Sequence, residues 1–228
     1  MLEILIAVAV VGVIALIVIF SFLSEAHKKD LDSQERQYHI DEMEYFGQLG
    51  ENYVAESLKI FETVYRGHLI NNLIFEDDNG YSSEIDHILI TRGGVFIIET
   101  KSNKGTIIGN VEDEYWTCIK KVYQDDKKLI NPIVQNQRHI NHLKRMFKNT
   151  PPKMTSMIIF PTADVSQIDS PLVFNLRQAI EKIEELTRSN KYSDEFVERI
   201  YKQLEYIRNE YGISKKQHED NISKNINR

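Results

Sequence analysis

The stretch EIDHILITRGGVFIIETKS, Glu84 to Ser102, decides the fold. Two runs rich in β-branched and aromatic residues, Ile85–Thr91 and Val95–Thr100, flank Arg92-Gly93-Gly94 and read as a tight β-hairpin. A turn at Arg92-Gly93 sets Thr91 against Gly94 and Asp86 against Glu99. A turn at Gly93-Gly94 sets Asp86 against Lys101 instead. Side chains alternate with period two, so both registers put Asp86, Glu99 and Lys101 on one face at the open end of the hairpin. Both strands are apolar on both faces, which calls for helices above and below the sheet.

The chain on either side supplies those helices. Upstream, EYFGQLGENYVAESLKIF places Phe46, Gly50, Val54, Leu58 and Phe61 at helical spacing, and Leu69–Phe75 reads as a first strand before the turn residues DDNG. Downstream, TIIG and EYWTCIKKVY are further strands. Asn131-Pro132 starts a helix, with asparagine as cap and proline at the first helical position, and Pro151-Pro152 ends it. Met154–Phe160 is a strand and LVFN a last short one. Helices follow over Leu176–Arg188 and, capped by Ser193 or Asp194, through Tyr211. The expected class is α/β, a mixed central sheet flanked by helices.

Composition sets the frame. A chain of 228 residues with 42% hydrophobic and 27% charged content buries one sizeable core. A net charge of -6 argues against coating nucleic acid by bulk electrostatics, while leaving room for a local basic groove. Cys118 is the single cysteine, which excludes an internal disulfide and a thiolate metal cage. Ile4–Leu23 is almost unbroken apolar sequence. About 20 such residues rise roughly 30 Å as a helix, the thickness of a bilayer's hydrocarbon. Lys28, Lys29 and Arg36 follow the run, so the positive-inside rule predicts an amino terminus outside the cell membrane and a cytoplasmic remainder. The expected organisation is a transmembrane helix over 1–23, a polar stalk over 24–40, the main domain over 41–165, its completing strand and helices over 166–212, and a disordered polar tail over 213–228.

Asp86 and Glu99 carry the first chemical signal. Carboxylates on directly opposed residues have β-carbons about 5 Å apart and repel unless neutralised, and a hard divalent cation does that. Lys101 shares their face, where its ammonium can hold or help deprotonate an attacking water or stabilise charge on a phosphate. The plainer reading of the hairpin alone is a salt bridge from Lys101 to one acid, with the third charge solvated. Glu51 shares a helix face with Val54 and Leu58, so it either completes a metal shell or pairs near the helix start. Gln135, His139 and His142 form one helical stripe that can face the same place. His139 and His142 lack an evident third zinc ligand and read as satisfied or solvent-facing imidazoles. His87 points to the opposite face as a packed histidine. Lys104, Arg138 and Arg145, with Lys120, Lys121 and Lys148, offer a basic surface for a phosphate backbone, or merely a solvated one. Trp116 and Tyr115 read as core or rim. No phosphate-loop pattern ending in Lys-Ser/Thr is present.

The ordered set GxxGE (Gly47, Gly50, Glu51), EIDHILI, GVFIIETK, Gly105, Gly109, Trp116 and NPIVQNQRH (Asn131 to His139) resembles the nuclease-related domain family, abbreviated NERD, of the PD-(D/E)xK nuclease superfamily. The likeness covers roughly Tyr45 to Phe160, with Ser102 where the family often has asparagine. It implies a restriction-endonuclease-like fold in which Asp86 and Glu99 ligate Mg²⁺ or Mn²⁺ and Lys101 positions or activates water. It also implies that Glu51 assists and that Gln135 reaches toward the site. The expected function is a membrane-anchored, metal-dependent nuclease acting on nucleic acid, DNA before RNA, with the bilayer as second partner through residues 4–23. The alternative is a non-catalytic, membrane-tethered nucleic-acid-binding or scaffold module on the same fold.

Overall fold

The computed structural model describes the backbone of residues 1–120 and 126–226, and the side chains of these except residues 2–20, 39, 225 and 226. Helix α1 spans Leu2–Leu58, and the chain divides within it into two compact units, residues 1–46 and 47–228. In the first unit, the described side chains of the expected stalk are exposed and pair locally along the helix, as in the Lys29–Glu25 bridge of 2.9 Å. Among the described residues no helix is long and apolar enough to cross a membrane. The span expected at residues 4–23 lies, through Phe20, outside the described side chains.

The second unit holds a five-stranded sheet in the order β1-β2-β3-β7-β8. Its strands are β1 (His68–Glu76), β2 (Ser82–Thr91), β3 (Gly94–Thr100), β7 (Met154–Phe160) and β8 (Val173–Asn175). The first three are antiparallel neighbours, and β3, β7 and β8 run parallel. The sheet is therefore mixed, as expected. Thr91 faces Gly94 and His87 faces Ile98, which fixes the turn at Arg92-Gly93. A smaller antiparallel sheet joins β4 (Thr106–Ile108), β5 (Tyr115–Ile119) and β6 (Lys127–Ile130). The sequence pattern did not reveal β6, whose two lysines break the apolar alternation; the part of EYWTCIKKVY beyond Lys120 lies outside the described residues.

Helices cover both faces of the large sheet. On one, α3 (Pro132–Met146) and α5 (Asp194–Tyr211) pack Ile140, Leu143, Val197 and Leu204 against Ile88, Ile90, Val95 and Ile97. On the other, the end of α1, the short α2 (Ile60–Thr63) and α4 (Leu176–Arg188) pack Val54, Leu58, Phe61, Ala179 and Ile183 against Leu89, Phe96, Ile98 and Met157. Two-sided burial is why β3 has no exposed position. The small sheet turns Ile107, Trp116 and Cys118 inward against Phe160 and Val173, so Trp116 is core while Tyr115 stays exposed.

Two features depart from expectation. Ile85, Ile88 and Ile90 all join the same core cluster, so the alternation of β2 slips once between Ile85 and Ile88. Leu73 and Ile70 show the same slip on β1, and between them Asn72 takes a left-handed φ of 50°. The segment after Gly212, expected to be disordered, forms helix α6 (Lys215–Ile226) and is tied to the sheet. Ile213 N–H donates to Ile74 O at 3.3 Å, the buried His218 Nδ1 lies 2.7 Å from Ser82 Oγ, and Asn221 Nδ2 donates to Glu76 Oε2 at 2.7 Å. These bonds outweigh the polar composition from which disorder was read.

Candidate active site

Asp86 stands where the hairpin forks. Its neighbours His87 and Ile98 are the last paired residues of β2 and β3. Beyond them Asp86 Oδ2 accepts the Thr100 N–H at 2.7 Å, so the carboxylate takes the place of a ladder bond. Lys101 N–H donates to Ile159 O at 2.9 Å, keeping the end of β3 on β7. Val95 and Ile97 pack on the α3 side of the sheet, and alternation carries Glu99 and Lys101 to that same side.

Glu99 is 3% exposed, and its Oε1 accepts from Lys101 Nζ at 2.7 Å. Lys101 Nζ also donates to Gln135 Oε1 at 3.0 Å. An ammonium has three donors, so these two bonds leave one N–H for a substrate or water. Gln135 arrives from the first turn of α3, whose start is fixed by sequence. Asn131 Oδ1 accepts from Ile133 N–H at 3.0 Å, and its Nδ2 donates to Val111 O at 2.9 Å and Asp113 O at 2.7 Å. One turn in, Asn136 Nδ2 donates to Ile97 O at 2.9 Å and Ser156 Oγ at 2.8 Å, pinning the helix across β3 and β7.

Glu51 comes in on α1. A β-carbon at Gly50 would stand 1.9 Å from Ser102 Oγ, so the bare glycine is what lets α1 lie against the end of β3. Ser102 Oγ donates to Gly47 O at 3.1 Å. The GxxGE pattern is thereby explained as a contact surface for residue 102, and it delivers Glu51 within electrostatic reach of Glu99 and Lys101.

The charges do not balance. Burial holds the Asp86 carboxyl well above its usual range, and Glu99 and Glu51 add to this, against the Thr100 N–H and Lys101. Burial and Glu84 likewise raise Glu51. Burial alone would pull the Lys101 ammonium down, but Glu99, Asp86 and Glu51 outweigh it and its value rises. Three acids thus act on Lys101, and Lys215 offsets only Glu51 among them. Among the described residues no group of three or more His, Cys, Asp or Glu is placed to hold a metal ion, so no closed cage is present. Two hard oxygen donors with surplus negative charge fit Mg²⁺ or Mn²⁺ of the kind that keeps several waters and takes only one or two carboxylates. Asp86 and Glu99 are the residues that would hold it.

The other predicted residues separate. His87 is buried, its Nδ1 lies 2.8 Å from Asn71 Oδ1, and burial pushes its value down to about 4, as suits a packed neutral histidine. His142 leaves the site: its Nδ1 lies 2.8 Å from Ser83 Oγ and its Nε2 3.3 Å from Asp77. His139 is neither satisfied nor solvent-facing, which corrects the sequence reading. Its Nε2 lies 3.9 Å from Glu99 Oε2. Its spacing of four from Gln135 was the available signal. Lys104 and Arg138 are exposed. Arg145 lies 4.0 Å from Asp77 and Lys148 sits over the Tyr206 ring, so these two are engaged away from the carboxylates.

Residues 46–161, half of the chain, match the nuclease-related domain (NERD) family. The chain belongs to that family. It is also similar to an uncharacterized protein of Bacillus anthracis, 27% identical over 124 residues, which are 54% of this chain and 57% of that protein. The chain thus spans little more than half the length of that relative. No solved structure gives a significant match. The NERD match ends at the close of β7, so α4, α5 and α6 lie outside it.

Proposed function

We propose that this NERD protein is a membrane-anchored, metal-dependent nuclease that hydrolyses phosphodiester bonds in nucleic acid, DNA before RNA. Mg²⁺ or Mn²⁺ would be held by Asp86 and Glu99, and residues 4–23 would anchor the chain in the cell membrane with the domain on the cytoplasmic side. The observation that carries the reading is the crowding of Asp86, Glu99 and Glu51 around the ammonium of Lys101. When bound, the ion supplies the positive charge that draws a phosphate to this acidic place and stabilises its developing charge.

The chain's own residues divide the remaining work. The raised Lys101 stays protonated at neutral pH, so it serves as donor and counter-charge rather than as base. Glu99 and Gln135 hold it from two sides. Glu51, raised by burial and by Glu84, is the group suited to take the proton of the attacking water. Lys104 and Arg138 offer contacts to the substrate backbone.

The test is incubation of the full-length protein with single-stranded, duplex and branched DNA and with RNA, in Mg²⁺ or Mn²⁺. Metal-dependent cleavage is expected, reduced about 100-fold or more by Asp86→Ala and by Lys101→Ala. Cleavage that survives both changes defeats the mechanism. The closed Lys101–Glu99 bridge and the lack of a three-ligand group among the described residues favour a second reading, a scaffold that holds nucleic acid without turnover. Equal binding with and without divalent ions, and no cleavage, would select it.

A further inference from the structure

We infer that His139 is a positioning residue for Glu99, so that α3 aligns both working side chains of β3, Lys101 through Gln135 and Glu99 through His139. The inference rests on the reading of Glu99 and Lys101 as the working pair. Three observations carry it. His139 Nε2 lies 3.9 Å from Glu99 Oε2, the oxygen opposite the one that accepts from Lys101. Both ring nitrogens of His139 are buried and, among the described residues, have no hydrogen-bond partner. The helix is not free to drift, because Asn136 binds it to Ile97 O and Ser156 Oγ between the two positions.

An imidazole so placed carries a cost. A buried polar group without a partner destabilises a fold by more than a typical hydrogen bond contributes. The nearest acid to His139 is Glu99, and a movement of about 1 Å brings the pair within hydrogen-bonding distance. Nε2–H then donates to Oε2 and Lys101 Nζ–H to Oε1, which leaves the carboxylate no freedom to rotate. Residues that orient a metal-binding carboxylate in this way typically matter about 10- to 100-fold for metal affinity.

Two measurements on the full-length protein test this. In the first, wild type, Glu99→Gln, His139→Leu and the double variant are melted without metal. The double variant's shift in Tm should differ from the sum of the single shifts by about 2 °C or more. Should leucine prevent folding, His139→Ala takes its place in the cycle. In the second, Mn²⁺ is titrated by calorimetry. His139→Leu should weaken binding about 10-fold or more, and His139→Gln, which keeps an N–H donor, should recover part of it. A histidine of merely structural use would lower Tm without coupling to residue 99 and without moving Mn²⁺ affinity. Additive shifts, or affinity within about twofold of wild type, overturn the inference. A wild type that binds no Mn²⁺ defeats the metal-dependent reading instead, and the metal-free cycle still decides His139.

Discussion

Asp86 shows what the site does to a single residue. Its carboxyl sits well above its ordinary value because burial disfavours the charge and Glu99 and Glu51 repel it. The folded state therefore holds a proton that the unfolded chain has released. Such a group contributes stability below the ordinary aspartate range and loses it as pH rises through the raised value. His87 acts in the opposite sense: with its value pushed from 6.5 to about 4, its contribution is complete above 6.5 and is lost as pH falls toward 4. Asp86→Asn removes the first contribution and leaves the second. The metal-free variant should melt above wild type at pH 8 by about 2–4 °C, a difference that shrinks as pH approaches 4. Equal melting temperatures at both pH values would mean that Asp86 is not under electrostatic strain. Saturating Mn²⁺ should close the gap at pH 8 from the other side by stabilising wild type.

At the scale of elements, the site depends on how closely α1 approaches the end of β3. That approach is set by one missing atom. Gly50→Ala would press a methyl group onto Ser102 Oγ, at 1.9 Å, and onto Ser102 Cβ, at 2.8 Å. The variant should lose about 1–3 kcal/mol of stability, as overpacking does, and displace Glu51. Gly50→Ala combined with Ser102→Gly clears both atoms and leaves only a 3.5 Å contact to the Cα. Recovery of most of the lost Tm in the pair, read by thermal melting, is the expected outcome; a pair as unstable as the single variant contradicts the close-approach argument. The hairpin offers a contrasting case. Its register was open between two turns, and both gave the same face to Asp86, Glu99 and Lys101. The structure selects the Arg92-Gly93 turn. It also shows a slip that strict alternation does not foresee, at Asn72 and, opposite it on β2, between Ile85 and Ile88, so Asp86 is tied to the end of β3 by its bond from the Thr100 N–H and not by alternation.

For the whole molecule, the core sits in two layers around β3, and the family match covers the sheet strands β1, β2, β3 and β7 with α3 and the end of α1, but neither layer is complete within it. Helices α4, α5 and α6 complete the burial beyond it. Helices α4 and α5 were legible because apolar residues recur at helical spacing; Ser193 caps α5 as expected, and Asn175, read only as the end of a strand, caps α4. Helix α6 was not, since its own sequence is polar and its order comes from partners more than 130 positions away, Ser82 and Glu76. Anchoring by residues 4–23 makes a prediction at this scale. The full chain should stay with membranes through an alkaline wash, and a chain beginning at Asp41 should be released. Release of both would remove the bilayer from the proposal.

The sequence by itself determined the strands of the large sheet, the starts of α3, α4 and α5 and the shared facing of Glu99 and Lys101, because these follow from local periodicity, caps and turn chemistry that act over a few residues. Only the tertiary structure decided that Gln135 holds Lys101, that His139 stands beside Glu99 while His142 leaves for Ser83 and Asp77, and that the carboxy-terminal segment is ordered. Those outcomes depend on where a helix crosses a sheet and on which buried polar groups find partners. They are settled by close packing between residues far apart in the chain, where no local pattern records them.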